Sequence, residues 1–267
     1  MQIPDPLTNG LMKSIDIFYA LRPQPFPGKA RLSAGKIVSH RGEHDNRNIF
    51  ENTMRAFDIA LEKGVWGIEF DVRWTKDLQP VVAHDADLER VFGKKQYIKK
   101  LTLTELRSQC PQVPLLEEVV QVYGQRLHFM VEIKAEEYPE PDLQNQILAQ
   151  CFSPLAAEKD YHLMSLEPEM LNLITFVPKS NLIPIAFFNV GELSRLSLAE
   201  GYGGVAGHYL LLNRGFLKEH HEKGQKIGTG YPGSKNCLYR EINRGVEWIF
   251  SNNAGKIQRI VQQMVNA

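Results

Sequence analysis

Residues 67–72 read GIEFDV, a stretch in which Ile68, Phe70 and Val72 alternate with Glu69, Asp71 and, one place further on, Arg73. Successive side chains of a strand point to opposite faces, so one face here is apolar and the other carries two carboxylates. At a rise of roughly 3.3 Å per residue those carboxylates stand about 7 Å apart along the strand. In a closed barrel both face the interior.

Upstream lie KIVSH (36–40), a short strand, the polar loop EHDNRN, and an amphipathic helix expected from Glu51 to Lys63 and ended by Gly64. Met54, Phe57 and Leu61 recur in that helix at three and four residues and form one stripe. Downstream, after the turn KDLQ, a second extended run PVVAHD (80–85) leads to two helical segments. The first, LTLTELRSQ, has Thr102 as its expected N-cap and Glu105 at the capping-box position. The same alternation continues through LHFMVEIK, YHLMSL, LIPIAFF, GVAGHYL, KIGTG and VEWIFS, most of them followed by a helical run. With KIVSH and GIEFDV these make eight candidate strands. Unbroken βα alternation signals a parallel sheet. Eight units favour a closed TIM (β/α)8 barrel over an open doubly wound sheet, whose glycine fingerprint is missing. The expected organisation is α/β, a single barrel domain over 34–267 preceded by an N-terminal arm, 1–33. The arm carries a short helix around Ser14–Leu21 and then the proline-rich, basic stretch RPQPFPGKAR.

The 267 residues are 43% hydrophobic and 23% charged, which argues against disorder. The 31 basic and 31 acidic side chains leave no overall field for holding a polyanion. Nucleic acid is therefore not expected as a partner, and an anionic ligand needs a local trap. Three widely spaced cysteines, Cys110, Cys151 and Cys237, fit a reduced compartment. No apolar run approaches the roughly 20 residues of a membrane-spanning helix, and the N-terminus lacks a secretory pattern. A cytoplasmic protein without a transmembrane segment is expected, and a homo-oligomer is compatible with the sequence.

In a barrel the chemistry gathers where strands end and βα loops begin. KIVSH ends in His40 and Arg41, GIEFDV carries Glu69 and Asp71, PVVAHD ends in His84 and Asp85, and LHFMVEIK ends in Glu132 and Lys134. Two interior carboxylates repel unless a cation lies between them or the pair is tuned for proton transfer. With Glu132 as a third oxygen ligand the set suits a hard divalent cation, Mg2+ or Ca2+, better than zinc. His40 and His84 are suited to general acid and base work near neutral pH. Arg41 and Lys134 can neutralise phosphate oxygens. Together these groups describe a site that cleaves a small-molecule phosphodiester. A single strand carboxylate is more often a salt-bridged structural group, and only the combination argues for chemistry. Elsewhere the plainer readings hold: His44, Asp45 and Asn46 as a turn, His220 and His221 as a solvated helix end, and Trp66 and Trp74 as packing.

The stretch 39–85, with HRG, then ENT opening a helix with AF behind it, then ExD and HD, resembles the glycerophosphodiester phosphodiesterase family. LLEEV, VEIK, SLEPEML and VEWIFSNN follow the family's later landmarks more loosely. The resemblance implies a TIM barrel that uses a divalent cation to hydrolyse glycerophosphodiesters to an alcohol and sn-glycerol 3-phosphate. It implies His40 and His84 as catalytic, Glu69, Asp71 and Glu132 as metal ligands, and Arg41 and Lys134 as phosphate contacts. Three departures stand out. Phe50 replaces the usual proline before ENT, and Ser251, Asn252 and Asn253 replace the threonine and aspartate that close the last strand. IGTGYPGSKN replaces a tryptophan-bearing seventh strand, so Gly228, Gly230 and Tyr231 are expected to leave a roomier wall unless Phe18, Tyr19 or Phe26 of the arm refills it. Two other functions fit the same residues: a phospholipase D-like lyase giving a cyclic phosphate, and a non-catalytic phosphodiester-binding barrel.

Overall fold

The protein is described by a computed structural model over residues 17–267. Part of the helix expected at Ser14–Leu21 lies outside the described residues; 17–21 are helical. The strands are β1 (Lys36–His40), β2 (Gly67–Trp74), three short ones β3 (Pro80–Val82), β4 (Asp87–Leu88) and β5 (Lys94–Tyr97), then β6 (His128–Ile133), β7 (Tyr161–Ser165), β8 (Leu182–Ala186), β9 (Gly204–His208), β10 (Lys226–Gly230) and β11 (Trp248–Ser251). Eight of them close a parallel barrel in the order β1, β11, β10, β9, β8, β7, β6, β2 and back to β1. All eight strand runs expected from the sequence are present, and the fold is a TIM barrel.

Alternation along each strand divides the interior from the helical shell. Ile37, Ile68, Phe70, Val131, Leu163, Val205, Ile227 and Ile249 point outward into one core shared with the helices. Val38, Met130, Met164, Ile183, Ala206, Trp248 and Phe250 point inward and fill the barrel, so it is a packed core rather than a pore. At its floor, His128 Nε2 lies 2.8 Å from His162 Nδ1, and Trp66 stacks on His128 at 4.1 Å. Trp66 is thus a packing residue, as is Trp74 in the outer core.

Register decides which interior side chains meet. The β1–β2 pairing sets His40 beside Glu69, and the β2–β6 pairing sets Asp71 beside Glu132. β3 runs antiparallel to β2, and Ala83 N–H donates to the Asp71 carbonyl at 3.0 Å, which brings the residue after it, His84, to the mouth. The excursion that follows is held by a small core of its own, including Val81, Leu88, Ile98, Leu106 and Val113. Thr102 and Glu105 form the expected capping box at Leu103–Gln109.

Three local readings change. The helix expected from Glu51 begins at Met54, because Thr53 Oγ1 accepts the Ala56 N–H and caps it there. Glu51 and Asn52 are thereby left ahead of the helix, free to face the site. His220 is not solvated: it is fully buried, with Nε2 2.8 Å from Ser194 Oγ. Its neighbour His221 pairs with Glu247 at 3.3 Å. In the arm, the helix Lys29–Ser33 inserts Leu32 into the shared core, Phe26 packs on Tyr239, and Tyr19 lies edge-on to Tyr209. None of these refills the β10 wall. A side chain at Gly228 would begin 2.7 Å from Phe250 Cε2, so the space expected to stand open at Gly228 is closed by the ring of Phe250.

Candidate active site

The seven residues expected to act together gather at the C-terminal mouth of the barrel. The first comes from a tight turn at the end of β1. Arg41 takes a left-handed conformation (φ 58°), and Gly42 follows at φ 76°, where an added Cβ would sit 2.8 Å from Ala56 Cβ. Only glycine is free of strain at such a φ and also clears the helix. The turn aims the Arg41 backbone N–H at Glu69 Oε2, 3.1 Å away, and its guanidinium at Asp71 Oδ2, 3.4 Å from Nε.

Glu69, Asp71 and Glu132 are buried, and one oxygen of each lies within 4.8 Å of the others. Lys134 Nζ sits 2.6 Å from Glu132 Oε1 and 3.2 Å from Asp71 Oδ1. Burial disfavours ionised Asp71, but Lys134 and Arg41 outweigh it and hold the carboxyl below the usual carboxylate range. Burial, and then the charge of Asp71, push Glu69 well above its ordinary value and Glu132 upward as well. Three carboxylates facing two cations therefore lack positive charge. Asn52 Oδ1 is also buried without a hydrogen-bond partner, and Asp71 Oδ1 meets only the Lys134 ammonium. An all-oxygen donor set, short of positive charge and with an oxygen left over, fits a divalent cation.

Both histidines lie within range of the Asp71 charge. His40 Nδ1 lies 2.6 Å from Asn252 Oδ1; because an amide oxygen only accepts, Nδ1 carries the proton and Nε2 the lone pair. Nε2 lies 3.3 Å from the Tyr231 hydroxyl and 3.7 Å from Glu69 Oε2. Burial, then the Arg41 charge, lower His40 to about 3, so it is neutral at physiological pH. His84 makes a different bond, Nδ1 to Asp85 Oδ1 at 2.6 Å. Burial opposes the charge on Asp85, but His84 and Arg90 prevail and hold it low.

Several partners were not singled out as site residues from the sequence. Glu51 accepts from Arg41 Nη1 at 3.0 Å and from both terminal nitrogens of Arg90, and Arg90 Nε donates to Asp85 Oδ2 at 2.6 Å. A continuous chain of charge-assisted bonds thus runs from Arg41 through Glu51, Arg90 and Asp85 to His84. Burial works against the Glu51 charge, yet Arg90 and Arg41 bring the carboxyl to about 2. Asn52 Nδ2 donates to Asp71 Oδ2 at 2.9 Å, and Arg73 Nε donates to the His84 carbonyl at 2.8 Å. The ENT motif pointed toward Glu51 and Asn52; nothing local pointed to Arg90. The loop at His44–Asn46 is a turn as read, with Asp45 accepting three backbone N–H groups, and Asn46 also donates to Glu51.

A cavity of about 500 Å3 lies elsewhere, on the flank, lined by Phe50, Met54, Arg107, Gln112 and Val122 among others. Its Arg107 is paired with Glu118 at 2.6 Å and it holds none of the converging acids and histidines, so the chemistry assigns the site to the mouth.

Residues 40–222 match the model of the glycerophosphoryl diester phosphodiesterase family. A glycerophosphodiester phosphodiesterase from Bacillus altitudinis is 38% identical over 128 residues, 43% of this chain and 51% of that protein, so the match spans about half of that relative. Among solved structures, the glycerophosphodiester phosphodiesterase from Thermotoga maritima superposes with a TM-score of 0.69 at 23% identity, covering 84% of this chain and 97% of that one. A phosphodiesterase from Oleispira antarctica, in complex with the product sn-glycerol-3-phosphate, gives 0.71 at 19% identity, covering 85% and 96%. At such identities these structures speak for the fold. Among the described residues no helix is long and apolar enough to cross a membrane.

Proposed function

Because this chain belongs to the glycerophosphoryl diester phosphodiesterase family, we propose that it hydrolyses glycerophosphodiesters to an alcohol and sn-glycerol 3-phosphate. The observation that carries this reading is the convergence of three buried carboxylates within 4.8 Å, flanked by His40 and His84. On this reading residues 34–267 are the catalytic barrel, preceded in sequence by an N-terminal arm, 1–33. The substrate is a small phosphodiester.

Glu69, Asp71 and Glu132 would hold Mg2+ or Ca2+, which when bound supplies Lewis acidity toward a phosphoryl oxygen. Arg41 and Lys134 bind the remaining phosphate oxygens and offset the charge that builds on them in the transition state. Their pairing with Asp71 and Glu132 keeps both cations extended toward the mouth before substrate arrives. His40, held by Asn252 with its lone pair at Nε2, takes the proton of the attacking water. His84 delivers a proton to the leaving alcohol, and Asp85 orients its ring through Nδ1. The two roles follow from the partners: a neutral amide suits a base that must start uncharged, and a carboxylate suits an imidazolium.

The test is to incubate the protein with glycerophosphocholine and either Mg2+ or Ca2+, following products by phosphorus NMR. sn-Glycerol 3-phosphate supports the proposal. A cyclic phosphate assigns the lyase reading, and binding without turnover assigns the non-catalytic one.

A further inference from the structure

Residues two apart on a strand share a face, so Lys36 lies inward with Val38, His128 with Met130, and His162 with Met164, each at the end of the barrel opposite the mouth. Inner layers of such barrels are ordinarily filled by branched apolar side chains. Here the floor holds two lysines and two histidines: Lys36 Nζ lies 5.0 Å from the ring of Trp66, and Lys226 Nζ 5.5 Å from the ring of Trp248. Neither lysine has an ion-pair partner among the described residues. Glu247 and Asp160, whose charges reach this layer, are committed elsewhere. Glu247 accepts the Ile227 N–H at 2.9 Å and pairs with His221 at 3.3 Å, and Asp160 accepts the Ala156 N–H at 2.8 Å. Burial, and then the charge of Lys226, lower the Lys36 ammonium from its ordinary value, so the two cations repel.

The histidines beside them are uncharged and also incompletely bonded. The Lys159 carbonyl accepts the proton of His128 Nδ1 at 2.9 Å, so His128 Nε2 accepts in turn from His162 Nδ1 at 2.8 Å. This leaves His162 Nε2 a buried lone pair without a donor. Trp248 Nε1, on the ring that lies edge-on to His162, is a buried donor without an acceptor. The layer is therefore short of negative charge, of one acceptor and of one donor. We propose that the barrel floor, between Lys36 and Lys226, is a second anion site, and that its ligand is a phosphate group carried by a small molecule. A phosphate brings two negative charges and several acceptor oxygens, and in its singly protonated form a donor as well, whereas a carboxylate or a halide brings one charge and no donor. Lysine ammoniums suit it because they bind phosphate as point charges and can turn their protons toward it. Lys36, Lys226 and Trp66 are half-buried rather than displayed, which favours a small ion over an extended polyanion. The site shares no residue with the mouth, where Arg41 and Lys134 stand.

The experiment follows the indole N–H signals of isotope-labelled, metal-free protein by NMR during titration with inorganic phosphate at constant ionic strength. Trp66 and Trp248 report on the floor, and Trp74, in the outer core, is the internal reference. The first two should shift together and saturate with a midpoint at or below about 1 mM, while Trp74 stays still. K36M/K226M should weaken that midpoint at least about tenfold, and K36M or K226M alone about threefold. Phosphate should also raise the Tm of the wild type and leave that of K36M/K226M unmoved. If the double variant does not fold, the single ones and the wild-type signals decide. Phosphate can meet Arg41 and Lys134 as well, so the titration is repeated in K134M: an unchanged floor midpoint supports a separate site, and its loss overturns the proposal. Equal shifts with chloride reduce the effect to screening of two lysines and overturn it too, as does a floor that phosphate leaves unmoved. sn-Glycerol 3-phosphate in place of inorganic phosphate separates the sources. Binding at least about tenfold tighter supports the site with a phosphate monoester as its ligand, and equal or weaker binding supports it with free phosphate.

Discussion

Asn252 Oδ1 lies 2.6 Å from His40 Nδ1, joining side chains 212 positions apart in sequence at the seam where β11 meets β1. The amide oxygen can only accept, so the contact sets the tautomer of His40 and leaves Nε2 facing Tyr231 and Glu69. Asn252→Leu removes the acceptor without adding charge. We expect kcat to fall about tenfold to a hundredfold with KM little changed, as for other groups that orient an active side chain. Asn252→Asp should move the acid limb of the pH–rate profile to higher pH, because a carboxylate favours protonated His40. An unchanged profile in both variants would show that the contact is only structural.

His40 and His84 are assigned opposite proton transfers. His40→Ala and His84→Ala should each lower turnover by at least about a hundredfold, the lower end for losing a general acid or base. The assignment can be checked with a substrate whose leaving group needs no proton, such as a p-nitrophenyl diester: His84→Ala should recover much of its loss there, and His40→Ala should not.

The acidic cluster predicts a trade between stability and function. Glu69 is buried, held above its ordinary pKa by burial and by Asp71. Glu69→Gln removes one of the repelling charges, so the metal-free variant should melt at or above the wild-type temperature while losing activity. In calorimetry, Mg2+ or Ca2+ should raise the wild-type Tm and leave that of Asp71→Ala unmoved. Full activity in excess chelator would contradict the metal reading.

Glu51 bridges Arg41 and Arg90 from a nearly fully buried position. Without Glu51 the two arginines keep Asp71 and Asp85 as partners and Arg90 is 46% exposed, so the cost stays below the about 3–5 kcal/mol of a stranded buried charge. Glu51→Ala should therefore show a moderate drop in urea midpoint together with weakened phosphate binding, since Arg41 loses one of its two anchors. Glu51→Gln keeps a hydrogen-bond acceptor and should lose less of each.

The histidine pair on the barrel floor makes the fold sensitive to acid. Burial lowers His128 to about 4 and His162 to about 2, the latter also through the charge of His128. The unfolded chain takes up these protons near 6.5. Between that pH and about 4 the unfolded state therefore binds more protons, so stability falls as pH falls through this window and is fully present above it. Thermal melts across pH 7 to 4 should show the decline, and a His128→Gln/His162→Gln variant should show a flatter one.

Much of the site could be read in one dimension because its parts are local. Two carboxylates at i and i+2 of a strand share a face whatever surrounds them, so Glu69 and Asp71 declared themselves together, and the ends of short strands marked His40 and Glu132. Arg90 could not be read that way. It reaches the site only because the excursion after β3 folds back and places its guanidinium between Glu51 and Asp85. His128 and His162 were hidden for a similar reason: they are the first residue of β6 and the second of β7, and only adjacent staves of the barrel bring them to 2.8 Å.

By itself, the sequence determined the period and number of the elements, and therefore the barrel, because alternation and capping are set by neighbours a few residues apart. It also determined which side chains face inward. The tertiary structure alone decided which of those inward side chains touch. Closure of the β1–β11 seam brings Asn252 to His40, and the ring of Phe250 closes the space that Gly228 seemed to open. Contacts between side chains far apart in the chain depend on register and on the volume of the residues between them. Both are properties of the assembled barrel, which no single stretch of sequence contains.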